Sequence, residues 1–181
     1  SDNAAAGSNR RAIIAVIMIA IVLVGAWAIK GAGEPAGALG EYAAGAEGDI
    51  WALEASSVSM SDIAAANVPA VIDFGSDSCA PCKAMAPVLE ENRSAQGSAI
   101  VKFVDVWKHP NAANGLPVQV IPTQLLVMPG GAPYVPSASL SDEFGLEFSR
   151  YDDESGNHAY TTHQGALTQE QMDAILADMG V

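Results

Sequence analysis

Cysteine is scarce in this chain, and its only two cysteines, Cys79 and Cys82, stand three residues apart. Two cysteines exclude a disulfide-rich scaffold and a four-cysteine zinc site. A mixed zinc site would need further ligands from histidines, and none of the three stands at zinc-finger spacing. Those histidines are His109, His158 and His163. The cysteine pair is therefore expected to have a function other than zinc binding or a disulfide-rich scaffold.

The residues around the cysteine pair argue against two further uses, haem attachment and a purely structural disulfide. Haem attachment requires a histidine directly after the second cysteine, where this chain has Lys83. A purely structural disulfide would close a very small ring and would gain little chain entropy. The spacing instead lets one thiolate attack a foreign disulfide while the other cysteine resolves the mixed disulfide. The pair is therefore predicted to be redox-active.

Basic residues are also few. The chain has 8 Lys and Arg against 21 Asp and Glu, which gives a net charge of −13. From residue 31 onward, 20 acidic residues face only 5 basic ones, a difference of −15. Such a surface repels nucleic acid and anionic lipid, so neither is expected as a ligand.

Long apolar runs are limited to one, residues 12–29, which follows Arg10 and Arg11 and contains no charge. Its length is typical of a transmembrane helix, and the arginines place the N-terminus in the cytoplasm. The alternative is a cleaved signal segment, with Ala26-Trp27-Ala28 as the cleavage site and a secreted product. The expected organisation is a cytoplasmic tail (1–11), an anchor or signal segment (12–30), a flexible Gly/Ala-rich linker (31–49) and a folded domain (50–181).

The segment around the cysteines carries a strand signal followed by a helix signal. Residues 70–74 form a short apolar run with β-branched side chains, which is typical of a buried strand. After the pair, apolar residues recur at helical spacing and predict a helix over about residues 79–96. These residues are Met85, Val88 and Leu89. A cysteine at the start of a helix faces unpaired backbone N–H groups, which stabilise its thiolate.

The rest of the domain has an α/β pattern. Capping-box motifs at Ser59 and Thr168 predict helices that run to Ala66 and Met179. Further strands are predicted over residues 100–106, 123–128, 145–151 and 158–163. The last two strands are joined by a turn-rich segment, which predicts a long hairpin preceded by a Pro/Ser loop.

Two motifs of this sequence resemble the signatures of the thioredoxin family. The first is Val71-Ile72-Asp73-Phe74 followed by Cys79-Ala80-Pro81-Cys82-Lys83 and Ala86-Pro87. The second is Val120-Ile121-Pro122-Thr123, which resembles the cis-proline loop that faces the cysteines in that family. The resemblance covers residues 53–181. It implies an α/β thioredoxin-like fold, a central mixed sheet flanked by helices, here with a lengthened C-terminal hairpin.

Several positions depart from the family's pattern. Ser78 replaces the aromatic residue that usually precedes the first cysteine, which leaves the rim of the site more polar. Ala80 replaces the usual glycine. The lysine that usually partners the family's buried aspartate falls at Phe103, and the adjacent Lys102 would face the other way on a strand.

The order of the cysteines and the resemblance together imply roles for these residues. Cys79, the N-terminal cysteine, is the expected nucleophile, and Cys82 is the resolving thiol. Asp73 should be desolvated, with a raised pKa, and should exchange a proton with Cys82; the alternative is a satisfied polar group of the core. The expected substrate-binding residues are Ala80, Pro81, Ile121 and Pro122. No metal is expected, and no cofactor beyond the Cys79–Cys82 disulfide.

The expected activity is reduction of protein disulfides outside the cytoplasmic membrane. Ala80 and Pro81 offer the cysteines no donor side chain, and the charge of Asp77 opposes a thiolate at Cys79, so both features favour a reductant. A reductant in that compartment needs electrons, and anchored relatives imply a membrane-embedded dithiol donor. The expected partners are thus this donor and a disulfide-bearing protein substrate. The alternatives are a disulfide-forming oxidase or isomerase, and a non-catalytic peptide-binding module.

Overall fold

The computed structural model describes residues 49–93 and 97–181. Within these two ranges, no helix combines the length and the apolarity needed to cross a membrane. The predicted tail (1–11), the anchor or signal segment (12–30) and all but the last residue of the linker (31–49) lie outside the described residues.

Five strands form one mixed sheet at the centre of the domain. They are β1 (Ala70–Gly75), β2 (Ile100–Asp105), β3 (Thr123–Val127), β4 (Phe148–Asp152) and β5 (His158–Gln164). Their order across the sheet is β2-β1-β3-β5-β4. β1 and β2 pair in parallel, and every other neighbouring pair is antiparallel. The predicted fold class, a mixed sheet flanked by helices, is confirmed.

In the part of the chain that the structure describes, four α-helices accompany the sheet: α1 (Met60–Ala66), α2 (Ala80–Arg93), α3 (Ala138–Phe144) and α4 (Gln169–Asp178). The Ser59 side chain caps α1 by accepting the N–H of Asp62. At α4 the predicted capping box is complete, because the Thr168 hydroxyl accepts the N–H of Gln171 and the Gln171 side chain accepts the N–H of Thr168. Local sequence thus determines where these two helices begin.

Helix α3 lies where the sequence predicted a loop. Its N-cap, Ser137, makes no side-chain capping hydrogen bond, and Leu140 stands where a capping box has an acid or a glutamine. Gly145 ends α3 in the left-handed region, with φ 64°, and its N–H donates to the carbonyl of Ser141. Strand β4 therefore begins at Phe148 rather than at residue 145.

Apolar side chains pack against both faces of the sheet. On one face, residues of α2 and α4 pack over the strands: Met85, Leu89, Met172 and Ile175 cover Val71 and Leu126. On the other face, Ile63 of α1 packs with Ile72, Phe74 and Leu125. Because side chains alternate along β1, Asp73 shares the face of Val71, which is the face that α2 covers.

On that face, one row of residues crosses the whole sheet. Its members are directly opposite one another in register, one from each strand: Phe103, Asp73, Gln124, His163 and Phe148. Phe148 is half-buried and the other four are buried. We call these five residues the cross-sheet row. It places three polar side chains in a line on the face that α2 and α4 cover.

Candidate active site

The loop from β1 to α2 carries the two cysteines, which form a disulfide. Cys79 directly precedes α2 and Cys82 lies in its first turn. The N–H of Cys82 donates to the Cys79 sulfur at 3.3 Å, so this sulfur receives a backbone donor that helix geometry leaves unpaired. Cys82 is only 2% exposed, whereas Cys79 is half-buried, and Ala80 and Pro81 between them are exposed. A substrate can therefore reach the Cys79 sulfur first.

A second loop lies beside that sulfur. It contains the cis peptide bond between Ile121 and Pro122. The Ile121 carbonyl oxygen lies 4.0 Å from the Cys79 sulfur. Pro122 is buried, and its carbonyl accepts the N–H of Gly165 at 2.9 Å. Pro122 has no N–H and so offers the sulfur no backbone donor. The polar backbone group of this loop beside the sulfur is the Ile121 carbonyl.

Asp73 is fully buried on β1. Its Oδ1 accepts a hydrogen bond from Nε2 of Gln124 at 2.6 Å. Its Oδ2 has no hydrogen-bond partner among the described residues. Burial raises the pKa of Asp73 to about 7, against an ordinary 3.8, and the Gln124 hydrogen bond offsets only part of this rise. Both protonation states are therefore populated near neutral pH.

Gly75 separates the free oxygen of Asp73 from the resolving cysteine. A Cβ built on Gly75 would lie 3.4 Å from Asp73 Oδ2 and 3.3 Å from the Cβ of Cys82. It would also lie 2.9 Å from Cε2 of Phe103, which is closer than real Cβ atoms approach. Glycine at this position thus keeps the space between the carboxyl group and Cys82 free of any side chain.

The cross-sheet row continues the polar contacts of Asp73. Nδ1 of His163 lies 2.7 Å from Oε1 of Gln124. Because Gln124 turns its NH₂ group towards Asp73, its oxygen must accept, which assigns the imidazole proton to Nδ1. Burial lowers the pKa of His163, so its ring is neutral at pH 7.

Sequence reasoning did not identify Gln124 and considered His163 only as a zinc ligand. The available signal for Gln124 was a glutamine in a short and otherwise mostly apolar strand, directly after the Pro122-Thr123 motif. No comparable signal marked His163, because its contact with Gln124 depends on the pairing of β3 with β5.

Charged residues form the rim near Cys79. The carboxylate of Asp77 makes an ion pair with the ammonium of Lys108, and both side chains are largely exposed. The like-charge argument at Asp77 is therefore corrected, because Lys108 compensates this charge. The case for a reductant then rests on Ala80 and Pro81, which offer no donor side chain.

Asp105 organises the same rim from the end of β2. Its carboxylate accepts the backbone N–H groups of Asp77, Trp107 and Lys108 at 2.9–3.0 Å. Burial acts to raise the pKa of Asp105, but these three N–H groups and the Lys108 ammonium outweigh it and hold the pKa below its ordinary value. Asp105 and Asp73 are thus buried carboxyl groups on neighbouring strands with opposite pKa shifts.

Within residues 49–93 and 97–181, no three His, Cys, Asp or Glu side chains are grouped so that they could hold a metal ion. Nε2 of His158 lies 2.8 Å from the hydroxyl of Thr161, and His163 contacts Gln124. Two of the histidines considered as zinc ligands are thus engaged inside the sheet.

Comparison with known proteins places this site in a family. The thioredoxin family model matches residues 53–142. Over 73 residues the chain is 42% identical to thioredoxin C-2 of Corynebacterium nephridii, covering 39% of this chain and 67% of that protein. It is also 40% identical over 75 residues to a bifunctional thioredoxin reductase/thioredoxin of Mycobacterium leprae, covering 41% of this chain.

Coverage of the two mycobacterial relatives is smaller. The chain spans 16% of the Mycobacterium leprae protein and 60% of a Mycobacterium bovis thioredoxin, to which it is 37% identical over 38% of its own length. Among solved structures, it matches a mutant thioredoxin from Halobacterium salinarum NRC-1 with a TM-score of 0.47 and 19% identity. That match covers 71% of this chain and 91% of the other.

Proposed function

Because the chain belongs to the thioredoxin family, we propose that it is a thiol–disulfide oxidoreductase that reduces disulfides in protein substrates. The observation that carries this proposal is the Cys79–Cys82 disulfide at the start of α2, with its more exposed sulfur beside the Ile121 carbonyl. Reduction of insulin disulfides with dithiothreitol as electron source tests it. Turnover no faster than dithiothreitol alone would contradict it.

The geometry supports a two-step exchange. The Cys79 thiolate attacks one sulfur of the substrate disulfide, and the other substrate sulfur leaves as a thiolate and takes a proton from water. Cys82 then gives its thiol proton to Asp73 and attacks the Cys79 sulfur, which releases the second substrate sulfur. That thiolate is also protonated from water, and Asp73 returns its proton to solvent. The substrate gains two electrons, and the cysteine pair loses them.

The direction of electron flow follows from how well the Cys79 thiolate is stabilised. Strong oxidants stabilise their reduced thiolate with additional donors. Here the described donor to the Cys79 sulfur is the N–H of Cys82, and Ala80 and Pro81 have no donor side chain. We expect a reduction potential of about −270 mV, rather than the roughly −120 mV of strong oxidants. Equilibration with glutathione redox buffers measures it, and a value near the oxidant end would favour the oxidase alternative.

The proposed location is the outer side of the cytoplasmic membrane. The support for it is the apolar run at residues 12–29 behind Arg10 and Arg11, followed by a strongly acidic region. A reductant in this location requires a membrane-embedded dithiol donor, which we include in the proposal.

Protease accessibility tests this location. Protease added to intact spheroplasts should digest the domain (residues 50–181), because the domain lies outside the cytoplasmic membrane. A cytoplasmic protein in the same cells is the control and should survive until lysis. A domain that is cut only after lysis would show that the proposed orientation is wrong.

A further inference from the structure

We infer that Gln124 and His163 are positioning residues that hold the Asp73 carboxyl group for proton exchange with Cys82. The inference rests on the proposed oxidoreductase function and adds two residues to its site. Neither residue contacts a cysteine in the described contacts; both act through Asp73.

The sheet register brings these residues together. Asp73 is opposite Gln124 across β1 and β3, and Gln124 is opposite His163 across β3 and β5. All three are buried on the face covered by α4 and by α2, the helix that carries Cys82. Directly opposed residues on one face lie close enough for side-chain contact, and two hydrogen bonds connect these three.

Gln124 determines which carboxyl oxygen is free. Its Nε2 holds Oδ1 of Asp73 at 2.6 Å, so the carboxyl group cannot turn without losing this bond. Oδ2, which has no partner among the described residues, then lies on the Gly75 side, where Cys82 is also placed. The hydrogen bond therefore presents the unoccupied oxygen to the resolving cysteine.

His163 supports the orientation of the Gln124 amide that faces its NH₂ group to Asp73. An amide can turn either its oxygen or its NH₂ group to a neighbour, and only the NH₂ group suits a carboxylate. The Nδ1–H of His163 donates to Oε1 and thereby holds the NH₂ group towards Asp73. The imidazole is itself held by an edge-to-face contact with Phe148, with ring centroids 6.0 Å apart.

Among the described residues around Asp73, Gln124 is the one that donates a hydrogen bond to its carboxyl group. Opposite Asp73 on β2 stands the apolar Phe103. Lys102 lies on the other face, where its ammonium donates to the carbonyls of Asp49 and Ala52 at 3.0 and 3.1 Å. The titratable groups that the described contacts place near Asp73 on its own face are Cys82, across Gly75, and His163, through Gln124. Glu54 is one strand further away, in a β-bridge with Phe103.

Gln124→Leu tests the contact with Asp73. Loss of the donor should raise the pKa of Asp73 by about 1 or more. Carboxyl ¹³C NMR of the oxidised protein measures this pKa. The rate of single-turnover reduction of a disulfide peptide depends on pH, and the midpoint of this dependence should rise by the same amount as the pKa. The rate should therefore fall about fivefold at pH 7 and less than about twofold at pH 9. A merely structural role would lower the rate at both pH values and leave the midpoint unchanged.

Two substitutions at His163 test the second contact and do not depend on the folding of the Gln124 variant. His163→Leu removes the donor to Oε1 and should raise the same midpoint. His163→Asn places an amide NH₂ where Nδ1 stood and should restore the wild-type midpoint. Thr162→Val is the matched control, because it removes a buried hydroxyl from the same strand on the opposite face and should leave the midpoint unchanged.

The outcomes separate this inference from the function on which it rests. A wild-type protein that reduces no disulfide refutes the proposed function, while the NMR pKa values still test the positioning. If the wild-type protein is active and neither Gln124→Leu nor His163→Leu moves the pKa of Asp73 or the pH midpoint, the positioning role is wrong.

Discussion

Replacing Cys79 with serine should abolish disulfide reduction, whereas replacing Cys82 with serine should stop the reaction after the first attack. Cys79 is the more accessible sulfur, so its loss should lower insulin reduction by at least about 100-fold. Without Cys82, nothing resolves the bond between Cys79 and the substrate. The Cys82→Ser variant should therefore accumulate a stable mixed disulfide.

Mass spectrometry of the trapped species checks this order, because the substrate cysteine should be attached to Cys79. Ser78→Ala is a suitable control, since it changes an exposed neighbour and should keep nearly full activity. Normal turnover by Cys82→Ser would contradict the two-cysteine mechanism.

Replacing Asp73 with asparagine should stabilise the oxidised protein at alkaline pH. The pKa of Asp73 is about 7 in the folded state, against an ordinary 3.8, so ionisation is disfavoured by folding. The raised pKa costs nothing below pH 3.8, and its cost grows as pH rises towards the folded value, reaching about 4 kcal/mol above pH 7. An unpartnered amide group in the same place costs about 1–3 kcal/mol. The net gain should be about 2 kcal/mol at pH 8.5.

Guanidinium unfolding of both proteins at pH 3.5 and pH 8.5 measures this gain, which should vanish or reverse at the lower pH. Asp105→Asn is the matched control with the opposite sign. The pKa of Asp105 is lowered by its three N–H donors, so its ionised form stabilises the fold above its unfolded pKa and this stability is lost in acid. Asp105→Asn should therefore destabilise at pH 8.5. No difference between Asp73→Asn and wild type across this range would mean that Asp73 is not held in an apolar environment.

The parts of the fold that depend on neighbouring residues could be predicted from the sequence. The strand before the cysteines, the helix after them and the capping boxes at Ser59 and Thr168 are local patterns, and all appear in the structure within a few residues. Helix α3 escaped prediction because its first turn lacks a side-chain cap. The anticipated residues Asp73, Cys79 and Cys82 stand within one short segment, whereas Ile121 and Pro122 were anticipated from the second family motif.

The parts that were missed depend on contacts between distant segments. Lys108 is 31 residues from Asp77, so the ion pair that compensates this carboxylate could not be inferred from either residue alone. Gln124 and His163 are 39 residues apart and meet only through strand pairing. Exact register is not readable from an apolar pattern that specifies faces rather than partners.

The cross-sheet row also sets a time at which the site becomes complete during folding. Each strand contributes one residue to it, and β5, the last strand in the chain, brings His163 opposite Gln124. A slip of β5 by one residue would turn His163 to the opposite face of the sheet. A newly made chain thus holds both cysteines long before its C-terminal hairpin docks, but its proton acceptor is fully held only afterwards. Efficient resolution of mixed disulfides should consequently begin only once this hairpin has docked, whereas the first attack by Cys79 does not depend on it.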